Sequence, residues 1–245
     1  MTIVGRLPLL PLGISTFGML KQDIRNQPAY TLAEAARYLK VAPATLRSWV
    51  VGRSYERTGG TAQSSPLILP PTKHPPTLSF WNLIEAHVLR SLRTDHGVSM
   101  DKLRRAIRYA QESLKVNRLL LSGDLRTDAG KLLLEKYGNL IELSASGQMA
   151  MRRTFNDHLA RVEWDEWKFP VRLHPFASSR SSTNDRPIAI DAKVAFGRPV
   201  LAKRGITTAT IAERIDAGES VADLAEDYDL TERDIEEAVL YERAA

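Results

Sequence analysis

The chain has no cysteine among its 245 residues. Disulfide frameworks, thiolate zinc sites and cysteine nucleophiles are excluded together, and the composition suits a reducing compartment such as the cytoplasm. Nowhere does a run of about 18 apolar residues occur, so no membrane-spanning helix is expected. The most apolar stretch near the start, Leu7 to Leu12, is broken by Pro8 and Pro11 and lacks a small-residue cleavage site, which makes it a poor secretion signal. Aromatic residues are few at 7%, whereas 43% hydrophobic and 26% charged residues are ordinary for a folded chain and too apolar for wholesale disorder. The length is comfortable for two domains.

Signs of catalysis are equally scarce. The five histidines, His74, His87, His96, His158 and His174, have no metal-ligand spacing. Gly59-Gly60 lacks the lysine of a phosphate-binding loop. Glu163, Asp165 and Glu166 beside Trp164 and Trp167 could mimic an acidic metal site, but a solvated turn or helix end is the plainer reading. No catalytic residue, metal or cofactor is expected, and the chain is read as a non-enzyme.

What is present is an uneven distribution of charge. Residues 30–117 carry thirteen basic against six acidic side chains, whereas residues 185–245 carry eight against fourteen. A basic N-terminal half joined to an acidic C-terminal end suggests two partners of different character; scattered, merely solvated charge is the alternative.

Residues 1–29 show no sustained period and read as an irregular arm. Thr31-Leu32-Ala33-Glu34 is a capping box, in which the threonine oxygen serves an orphan N–H and the glutamate reaches back. A short helix to Leu39 follows, then a break at Lys40-Val41-Ala42, then a second helix opened by Pro43 and running to about Val51. Leu32, Ala36, Leu39, Val41, Leu46 and Trp49 face inward, the pattern of a helix-turn-helix. Residues 52–77, rich in Gly, Ser, Pro and Thr, read as a hairpin or wing. Ser79 caps a helix to about Asp95, ended by Gly97, and Ser99 caps another with Leu103, Ile107, Ala110 and Leu114 on one stripe.

Residues 118–174 are less regular. Thr127 to Leu134 and Leu140 to Leu143 read as strands about a turn at Tyr137-Gly138-Asn139, Gly147 to Val162 as a helix, and Val171 to Leu173 as a strand. Residues 175–187 are a polar linker by composition. Ile188 and Ile190 make a short strand. Three compact helices then follow, from Thr208 to Ala217, from a Ser220 cap to about Tyr228, and from a Thr231 cap to the end. The fold class is mainly α with short β segments (α+β), divided as arm 1–29, DNA-binding domain 30–117, mixed middle segment 118–174, linker 175–187 and trihelical domain 188–245.

On the second helix of the N-terminal unit, Ala44, Thr45, Arg47 and Ser48 project outward, where a DNA-reading helix needs short polar or basic side chains. Arg53 and Arg57 follow in the wing, and Arg90, Arg93, Lys102, Arg104, Arg105 and Arg108 line the next helices. A helical hairpin with solvated arginines is the alternative. Tyr30 to Leu39, Val41 and Pro43 to Trp49 resemble the MerR-type winged helix-turn-helix, and Phe80 to Arg93 with Gly97 to Leu103 resembles that family's next helix pair. The likeness spans about residues 30–115. It implies a DNA-binding repressor with Thr45, Arg47, Ser48, Arg53 and Arg57 at the DNA. The Gly- and Pro-rich insertion in the wing is longer than usual, and the long dimerising coiled coil of many members is absent.

A second resemblance lies at the other end. Ile188 to Ile190, Gly197-Arg198-Pro199-Val200-Leu201, Ile206, Ile211, Ala217 to Ser220, Leu224, Asp227-Tyr228, Leu230-Thr231, Asp234-Ile235, Ala238 and Tyr241 resemble the small trihelical domain, long of unknown function, of VapB-like antitoxins that accompany PIN-like ribonuclease toxins. One departure is Lys203-Arg204-Gly205 where the family usually has Gly-Thr-Arg. The resemblance implies a type II antitoxin whose partners are operator DNA and a PIN-like ribonuclease, acting as a homodimer. The last helix opens with four carboxylates against one arginine, a surface that phosphates would repel. It reads as protein-binding, or as a solvated face. In the toxin-binding reading Arg198 and Arg204, with Lys203 beside them in the same toxin-binding loop, plug the toxin's carboxylate site while Glu232, Asp234, Glu236 and Glu237 dock beside it; the alternative is that these cations balance the domain's own carboxylates. A free-standing MerR-like regulator with a C-terminal sensing or dimerisation domain is the rival function.

Overall fold

The computed structural model describes residues 23–57, 60–92, 100–142, 144–176 and 186–244. The protein is mainly α, with nine α-helices and short antiparallel strands among these residues. Strand β1 (Tyr30–Thr31) leads into α1 (Leu32–Leu39), whose capping box is formed as read: the Thr31 side chain accepts from the Glu34 N–H while Glu34 reaches back to the Thr31 N–H. Lys40 ends α1 in the left-handed conformation. Helix α2 (Pro43–Val50) follows after the three residues Lys40, Val41 and Ala42, and its buried Leu46, Trp49 and Val50 face the buried Ala35, Ala36 and Leu39 of α1.

The expected wing is a hairpin of β2 (Arg53–Arg57) and β3 (Gly60–Ser64), in register from Arg53 opposite Ser64 to Arg57 opposite Gly60. The chain then returns beneath α2, where the Leu67 and Ile68 amides both donate to the Trp49 carbonyl, at 2.7 and 3.0 Å. Strands β4 (Thr72–Lys73) and β5 (Pro76–Leu78) complete a small sheet with β1, in the order β1-β5-β4. Helix α3 (Phe80–Ser91) is buried almost all round and forms the centre of the larger core. Its expected continuation through Asp95, with the Gly97 and Ser99 signals, lies outside the described residues. On α4 (Met100–Leu114), Leu103, Ala106, Ile107 and Ala110 are buried, but Leu114, the last residue of the helix, is exposed.

The middle segment departs from the sequence reading. Where strands were expected from Thr127 to Leu134 there is a helix, α5 (Asp128–Leu140), and Leu143 lies outside the described residues. Buried Ala129, Leu133 and Tyr137 recur every four residues, a helical period obscured by Gly130 and Gly138, which look like breakers in the sequence. Gly130 is there for a close approach: a Cβ on it would sit 1.8 Å from the Leu125 carbonyl oxygen. Helix α6 (Ala145–Leu159) and the hairpin β6 (Val162–Trp164) with β7 (Pro170–Leu173) follow. The inner end of the arm is folded as well. Arg25 binds Asp23 at 2.6 Å and Asp165 at 2.8 Å, and lies over Trp81, itself stacked on Phe169.

The C-terminal unit has its own core of Ile188, Leu201, Ile211, Leu224, Ile235, Ala238 and Tyr241. It comprises the ladder β8 (Ile188–Ala189) with β9 (Val200–Leu201) and helices α7 (Thr208–Asp216), α8 (Val221–Tyr228) and α9 (Glu232–Arg243). Ile190, two residues after Ile188, belongs to the larger core and bridges to Leu173, so a three-residue segment stitches the two cores together. No helix among the described residues is long and apolar enough to cross a membrane.

Candidate nucleic-acid interface and the docked trihelical unit

Helix α2 presents the surface expected to meet DNA. Ala44 and Arg47 are exposed, while Thr45 and Ser48 are half-buried. Ser48 Oγ donates to the Thr45 carbonyl at 2.7 Å, which commits its hydrogen and leaves the oxygen to act as an acceptor. No side chain caps the helix, because Ala42 occupies the N-cap and Pro43 follows it. Its first turn therefore keeps the partial positive charge of a helix N-terminus. Arg53 is exposed at the root of the hairpin, and Ser64 Oγ is bonded to both its N–H and its carbonyl. Arg57 stands at the far end of β2; its side chain lies outside the described residues.

The other basic residues divide into two groups. Arg105 and Arg108 are exposed on α4. Arg90 instead turns inward and donates to the Leu39 carbonyl at 2.6 Å, closing the C-terminus of α1. Arg104 donates to the Ser65 carbonyl and the Ser64 hydroxyl at 2.9 and 3.3 Å, bracing the hairpin's return strand. These two are structural, which their place in a basic helix stripe could not reveal. Arg93 lies outside the described residues.

Beside the hairpin's root lies a cleft of about 400 Å³ whose walls include Leu67, Leu69, Arg104, Ile107, Arg108 and Arg118. Two carboxylates of the acidic cluster near Trp164 are taken up within the fold: Glu163 is hydrogen-bonded to His174 at 2.7 Å and lies 3.6 Å from Arg172, and Asp165 pairs with Arg25. Among the described residues no group of three or more histidines and carboxylates could hold a metal ion.

At the other end, the cations singled out in the sequence behave unequally. Lys203 binds Asp234 at 2.7 Å. Arg204 pairs with the Asp229 carboxylate and also donates to the Asp229 carbonyl at 3.3 Å. Arg198 is exposed. Asp234 is buried and closes the capping box of α9 with Thr231. Burial alone would raise its carboxyl group, but the bonds from Lys203 and Thr231 outweigh that and hold it below the usual range. Glu232 and Glu236 are exposed and Glu237 is half-buried, with one carboxylate oxygen buried and unbonded.

Nothing in the sequence pointed to the seam between the two units. The Tyr241 hydroxyl donates to the Tyr38 carbonyl at 2.8 Å. Lys40 donates to the Tyr241 carbonyl and lies over its ring, and Arg37 binds Glu242 at 2.6 Å. Further along, the Tyr30 hydroxyl donates to the Gly197 carbonyl at 3.0 Å. Burial raises the Tyr30 and Tyr241 hydroxyls above the ordinary phenol range, so both remain donors. The Arg37, Tyr38 and Lys40 contacts fall on the last turn of α1 and the tight turn after it, immediately before α2, and the Tyr30 contact on β1.

Comparison with known proteins divides the chain in the same way. Residues 28–107 match a family described as "Putative DNA-binding HTH domain", and residues 188–241 match "Protein of unknown function (DUF433)". A protein of Mycobacterium tuberculosis named "Putative antitoxin VapB45" is 30% identical over 233 residues, covering 86% of this chain and 92% of that protein. The crystal structure of Rv2018 from Mycobacterium tuberculosis shares the fold, with a TM-score of 0.61 at 23% identity over 87% of this chain and 98% of the other. With a relative at that identity matching nearly end to end, the chain belongs to the VapB-like antitoxin family, carrying a helix-turn-helix at one end and the trihelical domain at the other.

Proposed function

We propose that this protein is the antitoxin of a type II pair: a cytoplasmic, MerR-like homodimeric repressor that binds its own operator through residues 30–117 and silences a PIN-like ribonuclease through residues 188–245. The observation that carries the DNA half is Arg47, an exposed guanidinium on the outer face of the second helix of a helix-turn-helix. An arginine so placed can bind guanine O6 and N7 through two N–H groups. Thr45 and Ser48 flank it, the uncapped start of α2 suits a phosphate, and Arg53 and Arg57 sit where a wing meets the backbone of the duplex.

The antitoxin half draws on the name of the Mycobacterium tuberculosis relative and on the exposed charges of the trihelical unit. A PIN-type site gathers carboxylates around Mg²⁺, and a guanidinium can pair with such carboxylates bidentately. Arg198 is the cation best placed for that role, since Lys203 and Arg204 already serve Asp234 and Asp229. Glu232 and Glu236, with Glu237 beside them, then offer an acidic face to the toxin's RNA-binding surface, while Asp234 holds the helix they stand on.

The test has two arms. Purified full-length protein should bind the DNA upstream of its own gene with strong salt dependence. It should also form a complex with the ribonuclease encoded beside it and stop RNA cleavage. Failure in both arms ends the reading. DNA binding with no toxin complex would favour a free-standing regulator, for which the 400 Å³ cleft beside the hairpin is of ligand size.

A further inference from the structure

Between Ile190, in the larger core, and Val200, at the start of β9, the chain makes a loop in which the roles above use Arg198 but leave Phe196 without one. Three consecutive residues in it, Ala195, Phe196 and Gly197, have positive φ of 46°, 56° and 77°. Glycine adopts such angles freely. Phe196, at φ 56° and ψ 31°, occupies a left-handed conformation that bulky residues enter only at a cost. Its ring gains nothing within the molecule in return, being 92% exposed, the most of any large apolar side chain among the described residues. A single exposed apolar side chain needs no explanation. One held out on an unfavourable backbone does.

The loop is also firmly held. The Lys193 N–H donates to Asp191 Oδ1 at 2.9 Å, the Gly197 N–H to the Val194 carbonyl at 2.8 Å, and the Arg198 N–H to the Ala195 carbonyl at 3.1 Å. Asp191 in turn meets Arg172 at 3.3 Å. On the other side the Tyr30 hydroxyl grips the Gly197 carbonyl so closely that a Cβ at 197 would lie 2.1 Å from the phenol oxygen. The result is an exposed aromatic side chain carried on a held backbone, with exposed Lys193 three residues before it and exposed Arg198 two residues after it. An aromatic side chain has only two torsions to fix on binding, and with a cationic rim it is typical of the residues that dominate protein interfaces.

We infer that Phe196 is the anchor of the toxin-binding face: its ring enters an apolar pocket on the ribonuclease while Lys193 and Arg198 meet carboxylates at that pocket's rim. This rests on the antitoxin reading and adds the contact point to it. Charge selects the occupant. A cationic tip with an apolar centre suits a protein cleft lined by clustered carboxylates. The surrounding unit, with eight basic against fourteen acidic side chains over residues 185–245, is repelled by a phosphate backbone.

The decisive variant is Phe196→Gly, which removes the ring and relieves the backbone at once; Phe196→Leu serves as a partial replacement. Each full-length protein is titrated with the purified ribonuclease encoded beside it, assayed for suppression of RNA cleavage, titrated with operator DNA, and sized by light scattering. For Phe196→Gly the expected result is a thermal midpoint equal to or above wild type, at least a tenfold loss of ribonuclease affinity with RNA cleavage restored, and unchanged DNA affinity and mass. Phe196→Leu should fall between. Wild-type ribonuclease affinity in Phe196→Gly overturns this inference and leaves the antitoxin reading standing, whereas failure of the wild-type protein to bind overturns that reading itself. A lowered thermal midpoint, a loss confined to DNA affinity, or a change of oligomer mass would assign the ring to the fold, to DNA or to a second copy, and each overturns the proposal.

Discussion

Arginines that look alike in the sequence hold different posts here, and truncating them separates the posts. Arg47 stands clear of the core and Arg53 of the hairpin, whereas Arg90 closes the end of α1 through the Leu39 carbonyl. Arg47→Ala should weaken operator binding by about 1–3 kcal/mol while sparing scrambled DNA. Arg53→Ala should weaken both alike and flatten the salt dependence by about one unit of slope. Arg90→Ala should instead cost stability, about 1–3 kcal/mol for the stranded carbonyl. Titrations at several salt concentrations, with urea unfolding, check all three, and equal losses on both DNAs would make Arg47 a phosphate ligand. Two histidines carry a prediction of another kind. His87 Nε2–H donates to the His158 carbonyl at 3.0 Å and His158 Nδ1–H to the Thr154 carbonyl at 2.9 Å. Burial is the largest influence on both, lowering His158 to about 4 and His87 well below its ordinary value, and Arg90 and Arg161 act in the same direction. In the unfolded chain both titrate near 6.5, so between about pH 6.5 and 4 the unfolded state binds more protons. Stability should be level above about pH 7 and fall as pH drops through that window, by up to about 1.4 kcal/mol per pH unit for each histidine. The urea midpoint should follow this course and change less in His158→Phe; a midpoint constant from pH 7 to 4.5 would contradict it.

At the scale of elements, α5 shows how a glycine can reverse an intrinsic preference. In an exposed helix Gly→Ala gains about 1 kcal/mol. At Gly130 the added carbon would lie 1.8 Å from the Leu125 carbonyl oxygen and 3.2 Å from the Phe155 ring, so the helix must move away from the turn before it. Gly130→Ala should therefore destabilise by about 1–3 kcal/mol, read as a lower urea midpoint at unchanged slope; a gain would mean the approach is less close than it stands. The same residue explains why the sequence misled here. Thr31, Ser79, Ser220 and Thr231 announce their helices because the signal is local, a side chain bonding an amide three positions on, and Pro43 announces its own by suiting the first helical position. Gly130 and Gly138 answer to Leu125, Phe155 and Gln148, whose approach depends on how the chain turns before and after the helix and leaves no capping signal. The candidate DNA face was legible for the same reason: Arg47 lies on the outer side of a helix whose inner side is spelled by Leu46 and Trp49. Arg90, Arg104 and the left-handed turn at Phe196 were not, since nothing near them in the chain says what they touch.

At the scale of the whole molecule, the chain is two cores joined three times over. The stitch at Ile190, the Tyr30 clasp on Gly197 and the Tyr241–Tyr38 seam each join residues on opposite sides of positions 177–185, so the units have contacts besides the peptide link to keep them together. The seam contacts differ in weight. Arg37 is 41% exposed, and its bond to Glu242 is worth at most about 1 kcal/mol. The Tyr241 hydroxyl is buried, and its loss strands the Tyr38 carbonyl at about 1–3 kcal/mol. Because Tyr38 and Lys40 form the end of α1 and the turn before α2, loosening the seam also loosens the frame that orients Arg47. A protein carrying a site-specific protease sequence between Ser181 and Ser182 should, once cut, still elute as one species in gel filtration. The same cut in Tyr241→Phe combined with Arg37→Glu should let the fragments separate on dilution, and the uncut double variant should bind operator DNA more weakly than wild type although neither residue belongs to α2. Separation of the wild-type fragments at once would show that the seam does not hold the units, and wild-type DNA affinity in the double variant would show that it does not brace the reading helix.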